Sequence, residues 1–232
     1  MKLAIMQPYF FPYIGYFQLL KAVDKLVVYD DVNFIKQGWI NRNFILQNCN
    51  PLRITVPLKQ ASSFRPINET QIARIFGWKK RFLLTISQAY SKAPFFKDIY
   101  PLIETVIEED CLTIAQLASN SVLAVIEYLG IPLEMEVTSR RYMNRHLNGQ
   151  ERVLDICRIE RCEQYYNLQG GIGLYERQAF KKTGVDLCFV QPREVSYRQF
   201  GCEFVSKLSI IDVMMFNDRN TVTSYLDQYE IV

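Results

Sequence analysis

The first thirty residues constrain the fold more than any other stretch. An apolar run at residues 3–6 stops at Gln7 and Pro8, and an aromatic loop carrying Pro12 and Gly15 follows through Tyr16. Residues 17–24 then read as a helix, and a second apolar run at 26–29 is closed by Asp30 and Asp31. Strand, tight loop, helix and strand make the opening unit of a nucleotide-binding α/β domain. Such a loop collects anions, because backbone N–H groups and the helix dipole point into it.

Further along, residues 44–58 read as a hairpin around the Asn48-Cys49-Asn50-Pro51 turn, and 60–70 as a polar loop or flap. Trp78, Phe82, Ile86, Ala89 and Tyr90 recur at helical spacing, Pro94 breaks that helix, and Pro101 is placed to start another. Thr113 and Gln116 form a capping box ahead of a helix that Gly130 stops. Residues 133–137 alternate as a strand, and Asn148 with Glu151 is expected to box-cap a helix over 150–162. A second strand–loop–helix–strand unit follows: 164–168, a Gly-rich loop from Gln169 to Gly173, a helix over 174–182, and a strand at 185–190. The expected architecture is α/β, with a Rossmann-like parallel sheet in one domain spanning 1–232 and a helical insertion at 72–130.

Composition narrows the function classes. A net charge of +3 in 232 residues gives no general pull toward nucleic acid or an anionic membrane. The basic stretch from Arg140 to His146 is either a solvated face or a landing strip for a phosphate. The six cysteines form no C-x-x-C pair and read as thiols in a reducing compartment. The single histidine, His146, excludes a His-rich metal site and has no adjacent carboxylate to orient it as a catalytic base. Polar residues interrupt the N-terminal apolar run, and no stretch of about twenty apolar residues occurs, so a cytoplasmic protein without a membrane span is expected.

Candidate chemistry gathers at the two strand-to-helix loops. Gly15, Gly170 and Gly171 permit close approach of backbone to a phosphate, although a tight turn alone would also use them. Asp30 and Asp31 end the second strand, where adjacent side chains point to opposite sides, so one of the two is expected to face a ligand. Asn41 and Arg42 offer an amide and a bidentate cation, and Lys59 a point charge. Asp212 lies in an apolar segment and must find partners or shift its pKa, as an anchor or as a catalytic group.

The first loop resembles the nucleotidylyltransferase superfamily, whose loop reads aromatic-x-Pro-x-His-x-Gly-His; Pro12 and Gly15 fall in register, with Tyr13 and Tyr16 in place of both histidines. Those tyrosines can donate hydrogen bonds to phosphate but carry no positive charge near neutral pH. A closer resemblance, running from Met1 to about Phe216, is to the WbqC-like family. Its motifs include the opening Met-Gln-Pro-Tyr-Phe-Phe-Pro-Tyr-Ile-Gly-Tyr-Phe-Gln, Tyr29-Asp30-Asp31-Val32, Gly38-Trp39-Ile40-Asn41-Arg42-Asn43, Gly149-Gln150-Glu151-Arg152 and Leu208-Ser209-Ile210-Ile211-Asp212. That resemblance implies a role in bacterial surface-polysaccharide biosynthesis, O-antigen especially.

The superfamily analogy implies amide formation by acyl or aminoacyl transfer onto a nucleotide-activated amino sugar, with ATP as a possible cofactor and an acyl or aminoacyl carrier protein as a possible partner. In that scheme Asp30, Arg42 and Tyr16 are the catalytic candidates. Gln7, Tyr13, Gly15, Asn41, Lys59, Asn167, Gly170 and Gly171 would hold the nucleotide or nucleotide sugar, and no metal ligand is assigned. The alternatives are a nucleotidylyltransferase acting on a sugar phosphate and a non-catalytic partner-binding module.

Overall fold

Period-two alternation in the apolar runs places side chains on both faces of a sheet, so both faces must be covered. The computed structural model, which describes every residue except Cys202, shows this arrangement. In chain order the strands are β1 (Lys2–Met6), β2 (Lys25–Val28), β3 (Arg42–Gln47), β4 (Asn50–Thr55), β5 (Glu134–Glu136), β6 (Gln164–Leu168), β7 (Asp186–Pro192) and β8 (Tyr229–Ile231). The helices are α1 (Ile14–Lys21), α2 (Trp78–Tyr90), α3 (Phe96–Glu108), α4 (Ile114–Leu129), α5 (Gly149–Ile159), α6 (Arg177–Lys182), α7 (Ile210–Phe216) and α8 (Arg219–Leu226).

The main sheet has the order β5-β2-β1-β6-β7-β8, parallel except for β8. This is the doubly wound, Rossmann-like order, with its switch point between β1 and β6. Ala4, Met6, Leu26, Val28, Tyr166 and Val190 face one core, with α1, α2, α3, α4, α7 and α8. Leu3, Ile5, Val27, Tyr165, Leu187 and Phe189 face the other, with α5 and α6. The hairpin β3–β4 is a separate two-stranded sheet whose Ile45, Leu46 and Ile54 join the first core.

Several boundaries differ from expectation. Helix α1 begins three residues early, at Ile14, because Ile14, Gly15 and Tyr16 are buried; the low helix propensity of Gly15 had masked that turn. Pro101 lies inside α3 rather than at its start; the buried stripe of Ile99, Ile103, Val106 and Ile107 holds the helix through the missing N–H. Asn148 does stand at the N-cap of α5, but its side chain makes no capping bond and Glu151 closes no box. The second Gly-rich loop coils into a short 3₁₀ turn, Gln169–Leu174, and α6 starts only at Arg177, after the Gln150 side chain takes up the Glu176 amide. The capping box of Thr113 and Gln116 and the left-handed Gly130 stop are both present.

Cys111, Cys157, Cys162 and Cys188 are free thiols. Cys49 is disulfide-bonded, which corrects the reading of thiols throughout: sequence spacing does not report which sulfurs meet in space. The expectation for Cys202 lies outside the described residues. No helix among those described is long and apolar enough to cross a membrane.

Asp212 is an anchor. It is wholly buried in α7, accepting from the Tyr90 hydroxyl (2.7 Å), the Tyr197 hydroxyl (2.6 Å) and the Gln199 amide (2.7 Å). Tyr90 in turn accepts from the Leu46 amide, and Gln199 bonds both backbone groups of Val205, so one carboxylate ties α2 and β3 to Tyr197, Gln199 and Val205. Burial raises its pKa, opposed by the three donors. A raised folded-state pKa stabilises the fold below the unfolded value, and that contribution is lost as pH rises through the folded one. Asp212→Ala strands three buried donors and is expected to cost about 3 kcal/mol in urea denaturation, with a larger deficit at pH 4 than at pH 7. An equal deficit at both would contradict the sign.

Candidate functional site

In open α/β sheets ligands bind outside the carboxyl ends of the strands. There the loop after β1 is locked by its own backbone. The Phe10 amide donates to the Trp39 carbonyl (3.0 Å) and the Phe11 amide to Ser121 Oγ (2.9 Å). The Asn43 amide donates to the Phe10 and Phe11 carbonyls (3.2 and 2.6 Å). Ser209 Oγ also donates to the Phe11 carbonyl (2.7 Å), and the Ile210 amide to that of Pro12 (2.9 Å).

Beside this loop lie two cavities that meet at Tyr13 and Lys207. The first, about 250 Å³, is walled by Ile14 and Gly15 of the first turn of α1, by Gln18, and by Arg193, Glu194, Tyr197 and Ser206. The second, about 300 Å³, is walled by Tyr9, Pro12, Trp39 and Asn43. Gln18 is fully buried; its amide nitrogen serves the carbonyls of Tyr225 and Gln228 (2.9 Å each), and its Oε1 has no partner. Lys207 is exposed and holds a left-handed backbone (φ 58°), which a β-carbon disfavours. Burial raises the phenol pKa of both Tyr9 and Tyr13, the latter further through its neighbour Tyr9, so each is a neutral hydrogen-bond donor near pH 7.

Of the expected residues, Tyr13 and Gly15 line these cavities. Tyr16 does not: it is wholly buried and its hydroxyl donates to the Gln7 carbonyl (3.1 Å), so it serves the loop and not a ligand. Gln7 leaves β1 with its Oε1 buried and unpartnered. Arg42 turns back on its own chain, donating from Nε to Gly38 (3.0 Å) and from Nη2 to Gln37, and Asn41 donates to the Val56 carbonyl (2.9 Å). Lys59 lies elsewhere, in a cavity with Trp78. Asn167 donates to the hydroxyls of Tyr165 and Tyr175, and Gly171 packs against it, where a β-carbon would come within 3.2 Å of the amide. Gly170 is exposed beside it.

Both Asp30 and Asp31 are buried, and neither lines the two cavities. The chain leaves extended conformation after Val28, so strand alternation stops there. Asp30 accepts from Thr138 Oγ1 (2.9 Å) and from the Ser139 amide and hydroxyl (3.0 and 3.2 Å); burial still leaves its pKa raised. Both oxygens of Asp31 accept from Arg152 Nη2 (2.6 and 2.7 Å), and the guanidinium lies 4.8 Å from the centre of the Tyr29 ring. Asp30 thus ties the end of β2 to residues 138–139, and Asp31 ties it to α5. Among the described residues no cluster of three or more His, Cys, Asp or Glu could hold a metal ion.

Trp39, Asn43, Arg193 and Lys207 were not selected from sequence. Alternation along β3 would have favoured Asn43 over Arg42, since the two point oppositely; Lys207 carries no local signal at all.

The WbqC-like protein family matches residues 7–224. The uncharacterized protein Rv1507c of Mycobacterium tuberculosis is 27% identical over 229 residues, covering 97% of each chain. No solved structure matches the chain significantly.

Gly15 leaves room for Tyr13: a β-carbon there would stand 2.4 Å from the ring. Gly15→Ala is expected to keep stability within about 1 kcal/mol, since alanine favours the helix, while driving the ring out of the shared wall. With Trp78 replaced by Phe so that Trp39 alone reports, acrylamide quenching should then rise; unchanged quenching would show that the ring does not close this wall.

Proposed function

The chain belongs to the WbqC-like protein family, and from that membership and the paired cavities we propose that it binds a nucleotide-activated amino sugar and transfers an acyl or aminoacyl group to the sugar's amine. The setting is the biosynthesis of a bacterial surface polysaccharide, of the O-antigen kind. The observation that carries this reading is the junction at Tyr13 and Lys207, which joins an anion-suited cavity to an aromatic one.

At the first turn of α1 the Tyr16 amide is taken by the Tyr13 carbonyl, the N–H groups ahead of it have no helical partner, and no acidic side chain occupies the turn. Phosphates seat there, with Lys207 as the counter-charge and the Tyr13 hydroxyl as a donor, while the Arg193 guanidinium is held by Glu230. A flat ring stacks on Trp39 beside Tyr9 in the second cavity. The two volumes together match a ligand of nucleotide-sugar size.

In the transfer, the sugar nitrogen attacks the acyl carbonyl, the C–N bond forms and the leaving group departs with its electron pair. Glu194 lines the first cavity and takes the proton that the amine loses. Gln18 Oε1, an acceptor in need of a donor, orients that amine. Arg42 and Tyr16 keep supporting roles by holding the 37–38 turn and the first loop, and Asp30 by bracing residues 138–139. The neutral tyrosines at the loop weigh against nucleotidylyl transfer, whose developing phosphate charge needs cations.

Two variants separate fold from binding. Lys207→Gly relieves the left-handed strain, so its melting temperature should hold or rise, while affinity for a uridine diphosphate sugar in calorimetry falls about tenfold. Trp39→Ala should lower affinity by a similar factor. If the wild-type protein binds no nucleotide or nucleotide sugar at millimolar concentration, the reading fails in favour of a partner-binding module.

A further inference from the structure

A basic, aromatic groove lies apart from the paired cavities and shares no lining residue with them. Two cavities of about 270 and 660 Å³ run between β4, the 71–77 segment and α2, with Ile75 and Trp78 in both walls. Arg53, Lys59, Arg74, Lys79 and Arg81 line them, against one carboxylate, Asp110. From residue 53 to 81 the chain has seven Lys or Arg and a single acidic residue, Glu69, although its net charge is only +3. Among the described residues none of the seven cations forms an ion pair. The excess positive charge is therefore concentrated here, although Lys79 donates to the Glu108 and Glu109 carbonyls (3.0 and 2.8 Å) at the end of α3.

The apolar residues on this face point outward. Phe76 is 99% exposed at the turn before α2, next to Ile75 at 49%, and Leu84 is 54% exposed on α2. Helix α2 buries Phe82, Leu83 and Ile86 and leaves Lys80, Arg81 and Leu84 outside. A phenylalanine on a projecting turn, flanked by unpaired Lys and Arg, suits a surface that takes apolar groups between anionic heads. A folded protein partner would instead present a pocket for such an anchor to fill, and the cations here would meet discrete carboxylates.

We propose that this face docks the protein on an anionic lipid bilayer, with Phe76 and Ile75 entering the headgroup layer and Arg74, Lys80 and Arg81 meeting lipid phosphates. Attraction of this kind is short-ranged and weakens with salt.

The test is flotation of the full-length protein with vesicles of phosphatidylcholine alone or with about one third phosphatidylglycerol, at low and high salt. Wild type should float with the anionic vesicles only, and salt should release it. Phe76→Ser and the double change Lys80→Gln, Arg81→Gln lie on the surface; each should keep its melting temperature and lose about tenfold in the vesicle-bound to free ratio. The proposal is overturned if wild type does not float with anionic vesicles, if it binds neutral ones equally, or if both variants bind as wild type does. Equally tight binding to soluble polyglutamate would also overturn it, in favour of an acidic protein partner.

Discussion

The buried backbone of residues 10–12 is the joint on which the rest of the structure depends. Phe10 and Phe11 are wholly inside the core, so their amides and carbonyls have no water to bond. Each finds a partner from a different part of the chain: Trp39 and Asn43 beside and on β3, Ser121 on α4, and Ser209 at the cap of α7. An unmade bond at such a site costs about 1–3 kcal/mol, more than the net gain from making it. The loop therefore forms only when hairpin, helices and sheet are all in place, and those elements are fixed in turn by the loop.

The geometry of the candidate site follows from that joint. Holding residues 10–12 sets the first turn of α1 and the direction of Tyr13, and with them the wall between the two cavities. The opposite wall, which includes Tyr197, Phe204, Ser206 and Lys207, is held by a second buried device, the Asp212 carboxylate with Tyr197 and Gln199. The candidate site thus lies between two rigid networks, and left-handed backbone is tolerated in both places: at Phe11 (φ 39°) in the buried loop and at Lys207 (φ 58°) in the cavity wall.

What the sequence made legible was local. The strand–loop–helix–strand opening, the hairpin, the capping box of Thr113 and Gln116 and the Gly130 stop all depend on residues within a few positions of one another. They sufficed for a Rossmann-like sheet and for the first loop as the place to look. What escaped was decided at long range. Asp31 meets Arg152 across 121 residues, and nothing near either one reports it. Tyr13 and Tyr16 look alike in sequence, yet the one-turn-earlier start of α1 puts Tyr16 in the core and leaves Tyr13 at the cavities. The second Gly-rich loop shows why glycines alone are weak evidence: Gly171 is needed to clear Asn167, a packing reason with no ligand in it.

The most direct measurement is native-state hydrogen exchange at the amides of Phe10, Phe11 and Ile210. If the loop is the joint described, these three exchange only through global unfolding, at the rate of the slowest strand amides in β1 and β2. Exchange through local opening, at the rate of a surface loop, would mean that the loop folds after the scaffold and does not organise it.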